Sequence, residues 1–282
     1  TSDKDGDIGT STPNSTGEVS LSTATLSENE HVVTLRAVDA GNLECTDSVV
    51  VRVGTPPAIS IVSPSNNTEF IEGDNITFEV LVSDNQDAPE DIDLNWSLDW
   101  QPYTTMSADS TGVAEFIESG LSPGSHTLSI VATDSDGMTD TTQVAFSING
   151  SPSTPVISIL PNAPSTNDTL NLSITQASID PEGLSVSYDY QWSKNGVPQP
   201  GETSSTLSSN LTSKNDLWTI EVTPTDGTTF GTPATANVTI QNAAPTIDSL
   251  SIASNGSVYN NSVITCTATV SDPDETVVPT YS

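Results

Sequence analysis

Ile76-Thr77-Phe78-Glu79-Val80-Leu81-Val82-Ser83-Asp84 is apolar at every second position from Ile76 to Val82, and it then breaks into an acidic turn, Asp84-Asn85-Gln86-Asp87. A period of two belongs to a β-strand with one face on a core. The pattern returns twice. Leu170/Leu172/Ile174 leads to Asp180-Pro181-Glu182-Gly183, and Ile264/Cys266/Ala268/Val270 leads to Asp272-Pro273-Asp274-Glu275, so the acidic turns lie 96 and 92 residues apart. Upstream of each stands a proline-led first strand: Pro56-Pro57-Ala58-Ile59, Thr154-Pro155-Val156-Ile157 and Ala244-Pro245-Thr246-Ile247.

Repetition also runs the other way along the chain. Residues 1–54 written beneath 96–149, at a fixed offset of 95, put Ser15-Thr16-Gly17 on Ser110-Thr111-Gly112, Leu26-Ser27 on Leu121-Ser122, His31 on His126, Ala37 on Ala132, Asp39 on Asp134 and Val49 on Val144. Such self-similarity marks a duplicated structural unit. Within 55–150 the alternation predicts strands near 58–62, 75–83, 92–99, 112–119, 126–133 and 141–148, separated by Gly, Pro, Asn and Asp turns. Helical periodicity is absent. The expected fold is all-β: tandem immunoglobulin-like β-sandwich domains in an elongated rod.

Composition agrees with many thin cores. Aromatics are 5% of the 282 residues, and Ser plus Thr supply 81 of them. Against 37 acidic residues stand 5 Lys plus Arg, a net charge of −32. That field repels phosphate backbones and anionic headgroups, which disfavours nucleic acid and membrane surfaces as partners and draws in cations. No apolar run approaches the ~18 residues of a membrane span, and no signal peptide opens the sequence, so any export signal or anchor is expected outside this segment. Asn-x-Ser/Thr acceptors begin at Asn14, Asn66, Asn75, Asn95, Asn149, Asn167, Asn171, Asn210, Asn237, Asn255 and Asn260. They are roughly twice as many as chance gives in so Ser/Thr-rich a chain, which points to a secreted, glycosylated surface.

The alternating strand, the acidic turn, a strand carrying Trp96 or Trp192, and the endings His126-Thr-Leu-Ser-Ile-Val-Ala-Thr-Asp134-Ser-Asp136-Gly137 and Trp218-Thr-Ile-Glu-Val-Thr-Pro-Thr-Asp226-Gly227 resemble PKD-like, bacterial immunoglobulin-like and cadherin-like repeats. Those repeats occur in large surface proteins of marine bacteria and archaea. The resemblance spans almost the whole chain, but it is one of fold, and such folds serve stalks, adhesins, filaments and accessory modules alike.

The chain divides into four segments. Residues 55–150 and 151–242 are whole Ig-like domains, 1–54 carries only the later strands of one, and 243–282 only the early strands. A half sandwich can neither bury its inner face nor pair its sheet edges. Either the sequence is a window on a longer tandem array, or the C-terminal strands of one copy complete the N-terminal half-domain of the next, a heterologous contact that builds an open filament.

Candidate chemistry is sparse. Asp84, Asp87, Asp134, Asp136, Asp180, Glu182, Asp272 and Asp274 form acidic turns, and Asp3/Asp5/Asp7 opens the chain with another. Carboxylates at alternate loop positions are oxygen donors of the kind calcium takes six to eight of. In cadherin-like repeats similar turns bind calcium at domain junctions, so the resemblance implies calcium as a stiffening ion, while plain side-chain capping of Asp turns is the competing reading. Cys45 and Cys266 lie on inward phases of the two half-domains and are candidates for an intermolecular disulfide, or else for buried free thiols. His31 and His126, at equivalent repeat positions, read as structural. Trp96, Trp192 and Trp218 sit in strand patterns as core fillers, whereas Trp100 and Tyr103 are candidates for an exposed aromatic contact with a glycan or a neighbouring subunit.

No Gly-x-Ser-x-Gly elbow, phosphate loop, His-Glu-x-x-His or Cys/His cluster occurs, so an enzyme is not expected. The expected function is a structural glycoprotein, extracellular or on the cell surface, whose partners are copies of itself. An adhesin, or a carbohydrate-binding accessory region that contacts surface glycans, is the alternative.

Overall fold

The computed structural model describes residues 1–254, 257, 260 and 264–277. The protein is all-β and built of tandem Ig-like sandwiches. Its helical pieces among the described residues are single 3-10 turns at Pro89–Asp91 and Ser209–Leu211. The chain divides into two compact units, Thr1–Ile148 and Asn149–Ser282.

The first unit opens with the hairpin β1 (Asn29–Val38) and β2 (Glu44–Val53), and continues through β3 (Ala58–Ser63), β4 (Thr68–Ile71), β5 (Ile76–Ser83), β6 (Asp93–Leu98), β7 (Gln101–Thr104), β8 (Val113–Glu118), β9 (Gly124–Thr133) and β10 (Thr139–Asn149). β3-β5-β8 form one sheet of a sandwich and β4-β10-β9-β6-β7 the other, while β1 and β2 form a separate two-stranded sheet, with Ser2 bridged to Val33 on the outer edge of β1. The alternation that opens the sequence reading becomes the inner face of β5. Ile76, Phe78, Val80 and Val82 are buried there against Leu94 and Trp96 of β6, Leu128 and Ile130 of β9, and Val144 and Phe146 of β10. Phe78 and Phe146 meet across the two sheets with ring centroids 5.6 Å apart. Each such side chain contributes about 1.5–3 kcal/mol by leaving water. β4 and β7 are not visible in the alternation. Both are four-residue edge strands, too short and too one-sided to show a period.

The second unit comprises β11 (Val156–Leu160), β12 (Leu170–Gln176), β13 (Ser187–Lys194), β14 (Val197–Pro198), β15 (Thr206–Leu207), β16 (Leu217–Thr225), β17 (Ala234–Thr239), and a final hairpin of β18 (Thr246–Ser254) and β19 (Ile264–Ser271). Sheets β11-β12-β15 and β14-β13-β16-β17 enclose a core of Ile159, Leu170, Trp192, Leu207, Trp218, Ile220, Val222, Val238 and Ile240. Seven of these nine are Ile, Leu or Val, fewer than the core of the first unit holds. Trp192 and Trp218, edge to face with centroids 6.5 Å apart, supply the volume instead. Among the described residues β18 and β19 pair only with each other.

Candidate functional site

The two hairpins lie outside the sheets of both sandwiches. β1 and β2 repeat β9 and β10 residue for residue: Val38↔Glu44 through Asn29↔Val53 is the register Thr133↔Thr139 through Gly124↔Ile148 displaced by 95. The local sequence therefore suffices to build the same ribbon. It does not bury it. Ile130 is 0% and Val144 4% exposed inside the whole sandwich, yet the matching Leu35 and Val49 are 60% and 59% exposed. No apolar residue between 1 and 54 is buried; Ser2 and His31 alone are. Ile8, Val19, Leu21, Leu26, Val33, Leu35 and Val51 line an open trough of about 670 Å³ on this part of the unit.

β18 and β19 present a second exposed ribbon. Ile247 stands opposite Val270, Leu250 opposite Ala268 and Ile252 opposite Cys266, so these side chains share one face of the ribbon. A bulge between Ile247 and Ser249 keeps the apolar phase aligned on both strands. Leu250 and Ile252 are 61% and 70% exposed. Contiguous uncovered apolar faces of this kind mark places where proteins associate.

The acidic turns are self-capped. Oδ1 of Asp84 accepts the N–H groups of Gln86 and Asp87, Asp134 those of Asp136 and Met138, Asp180 those of Glu182 and Leu184, and Asp272 those of Asp274 and Glu275, at 2.7–3.1 Å. The next carboxylate reaches outward. Glu182 accepts the Gly150 N–H at 3.1 Å and Asp274 the Ala243 N–H at 2.6 Å, so each turn clamps the linker that leads into its own domain. Asp87 accepts from Ser135, and Asp136 from the Arg52 guanidinium at 2.8 Å. Among the described residues no three His, Cys, Asp or Glu side chains converge on one metal position. Oxygen acceptors are nevertheless left over: Asn149 Oδ1, Asp180 Oδ2 and Glu182 Oε1 in the second unit and Asp84 Oδ2 in the first are buried without a partner. Beside them, burial works to raise the Asp226 carboxyl, but donors from Thr229 and the Asn149 amide outweigh it and hold the group well below the usual carboxylate range.

Both histidines are buried latches. Nε2 of His31 donates to the Ser27 carbonyl at 2.7 Å and Nε2 of His126 to the Ser122 carbonyl at 2.8 Å, the same bond displaced by 95 residues. Trp96 and Trp192 lie in the cores with their indole N–H groups on the Met106 and Ser204 carbonyls. Tyr103 packs against Phe116 and donates to Glu118; burial, with the Glu118 carboxylate beside it, pushes its phenol up. Trp100 is 72% exposed. It and Asp99 form the two-residue turn between β6 and β7, both with positive φ (66° and 50°), a conformation that favours Asn and Gly. The polar stretch around Trp100 marks it as exposed in the sequence, but its backbone conformation has no sequence signal.

The acceptor asparagines 14, 66, 75, 95, 167, 171, 210, 237 and 260 are exposed. Asn149 corrects the sequence reading: it is 1% exposed, and its amide bonds Gly150, Asp226 and Thr229, so a glycan has no access to it. Asn255 lies outside the described residues. Cys45 and Cys266 are exposed free thiols.

No protein-family profile matches the chain, and no curated protein matches it in sequence. Solved structures resemble it. The titin I-band fragment I67–I69 is 12% identical with a TM-score of 0.40, covering 77% of this chain and 76% of its own. The fibronectin(III)-like modules of Clostridium thermocellum CbhA are 14% identical with a TM-score of 0.29, covering 65% and 94%. The N-terminal Ig1-2 module of the Drosophila receptor tyrosine phosphatase DLAR is 13% identical with a TM-score of 0.29, covering 66% and 100%.

Proposed function

We propose that this chain is a structural glycoprotein of the cell exterior, a repeat subunit of a surface filament or stalk that assembles head to tail by completion of split Ig-like domains. One observation carries the reading: β1 and β2 expose the residues that β9 and β10 bury, while the same chain displays the missing type of ribbon in β18 and β19. Covering an exposed Leu or Val is worth about 1.5–3 kcal/mol, so several on each face drive association. An open, heterologous contact of this kind propagates rather than closes. Sedimentation velocity and negative-stain imaging across concentration test it. Growing linear multimers are expected, and a monomer at every concentration rejects the reading.

An exterior setting is supported by nine exposed acceptor asparagines and by a net charge of −32, which keeps assembled material dispersed and makes its spacing sensitive to cations. Calcium belongs to the same proposal. The unpartnered oxygens of Asn149, Asp180 and Glu182 are hard donors that suit it, and the ion would draw the Asp180 turn and the 149–150 linker together.

A second reading, an adhesive or carbohydrate-binding region, is favoured by Trp100. A large aromatic held out in solvent on a left-handed backbone stands against its local preference, and such exceptions cluster at contact sites. Saturable glycan binding lost in Trp100→Ala supports it; binding that survives the substitution removes it.

A further inference from the structure

We propose that residues 14–23 are a preformed acceptor for β19 of a second copy of this chain, which adds alongside Glu18–Thr23 with Leu21 opposite Cys266 and Val19 opposite Ala268. This deepens the head-to-tail reading and rests on it.

The turn at 14–17 is the first ground. In the whole sandwich Asp109 Oδ1 accepts from the N–H groups of Thr111 and Val113 and from the Thr111 hydroxyl, and the Gly112 N–H bonds the Asp109 carbonyl. At the positions 95 residues earlier, Asn14 Oδ1 accepts from Thr16 N–H, Glu18 N–H and the Thr16 hydroxyl, and the Gly17 N–H bonds the Asn14 carbonyl. Gly17 and Gly112 share the left-handed backbone, φ 84° and 86°. Their surroundings differ. A side chain on Gly112 would collide with the Val82 carbonyl of β5, whose N–H bonds the Gly112 carbonyl at 2.9 Å, whereas nothing lies within 4 Å of the same point on Gly17. The first turn is therefore shaped for a strand that is not beside it.

The stretch leading out of each turn is the second ground. Val113–Glu118 form β8 because they pair with β5, Val80 against Ala114 and Phe78 against Phe116. Glu18–Thr23, the equivalent stretch, are not in a strand. Their sequence, Glu-Val-Ser-Leu-Ser-Thr, alternates and sets Val19 and Leu21 into the trough. Only the partner is missing.

β19 is that partner by position. At an offset of 188, Ile264, Cys266, Ala268 and Val270 fall on Ile76, Phe78, Val80 and Val82, and the acidic turn at Asp272 falls on Asp84. The β5–β8 register then fixes the pairing: Ile264 opposite Thr23, Cys266 opposite Leu21, Ala268 opposite Val19, and the Val270 N–H on the Gly17 carbonyl. Joining an extended strand to an unpaired partner supplies backbone hydrogen bonds, while alternate side chains supply specificity.

The register bears on the thiols. Cys45 matches Asp140, whose carboxylate accepts the N–H of Ile59, the residue opposite Val82. Cys266 matches Phe78, four residues along the strand from Val82, which at ~3.3 Å per residue is roughly 13 Å away. Bridged Cα atoms stand no more than about 7 Å apart. In this arrangement Cys45 and Cys266 are both free thiols, and the intermolecular disulfide, one of the readings open from sequence, does not form.

Leu21 is exposed, so Leu21→Cys leaves both whole sandwiches untouched. The test is mild oxidation of full-length L21C/C45S, with S22C/C45S as the opposite-phase control and the unsubstituted chain alongside, read on non-reducing gels beside sedimentation velocity. A ladder of covalent multimers about tenfold stronger in L21C than in S22C is expected, since directly opposed Cβ atoms lie within disulfide reach. Multimers that sediment but fail to crosslink through Leu21→Cys, or a native Cys45–Cys266 bridge between copies, overturn the register while leaving head-to-tail assembly standing. A monomer at every concentration overturns both. An intramolecular crosslink between positions 21 and 266 overturns the second copy as occupant.

Discussion

Asp99 holds His126 from the far side of its hairpin turn. Its Oδ2 lies 2.7 Å from the ring Nδ1 and its Oδ1 accepts the Thr127 N–H at 2.8 Å, while the ring stacks on Phe146. His126→Ala removes both ring hydrogen bonds and the stacked surface, so the sandwich of residues 55–148 loses about 2–4 kcal/mol. Urea unfolding measures this. His31→Ala, the same change 95 residues earlier, leaves that transition within about 0.5 kcal/mol because His31 touches no part of the whole core.

The next residue in that turn gives a change of opposite sign. Trp100 occupies a left-handed position where glycine carries no steric cost, and its side chain is in solvent. Trp100→Gly is expected to stabilise the sandwich by about 0.5–1 kcal/mol, the strain relieved being partly offset by glycine's greater unfolded freedom. Calorimetry of the isolated substitution reads it as a rise in Tm; a fall shows that Trp100 packs onto its own strand after all.

Acid should weaken the second unit first through Asp226. Its folded carboxyl titrates below its unfolded value, so between the two the unfolded chain binds more protons. The stability it contributes is fully present above about pH 4, the ordinary Asp range, and is lost as pH falls through the folded value. Asp168 and Asp274, held low by Ser165 and Thr166 hydroxyls and by backbone N–H groups, act in the same direction. Asp226→Asn should lower Tm at neutral pH and flatten its decline between about pH 5 and 2, a range in which scanning calorimetry resolves the slope.

If calcium engages the Asn149, Asp180 and Glu182 oxygens, millimolar calcium raises the Tm of the second unit and a chelator reverses it, by about 2.7 kcal/mol at one hundred times the dissociation constant. Glu182→Gln abolishes most of the shift. An unchanged Tm in both proteins leaves these turns as self-capped linkers alone.

Much of the fold is written in alternation. Ile76 to Val82, Leu128 to Ala132 and Val144 to Ile148 are long, regular and buried on one side, so period two locates them. β4 and β7 escape it because four-residue edge strands owe their form to a neighbour, not to a pattern. Part of the candidate site is equally legible: the duplication at an offset of 95 anticipates that β1 and β2 repeat the ribbon of β9 and β10. The carboxylates are visible in the sequence but not their partners, since Glu182 meets the Gly150 N–H and Asp226 meets Asn149 only when distant segments of chain are brought together.

Sequence by itself determined the long strands of the cores, the repeat and the charge, because side-chain periodicity and composition are local properties that each segment carries wherever it goes. Only the tertiary structure decided burial. Leu35 and Ile130 occupy the same repeat position, yet one stands in water and the other in a core. The difference is whether a second sheet lies across them, and that depends on which strands arrive from elsewhere.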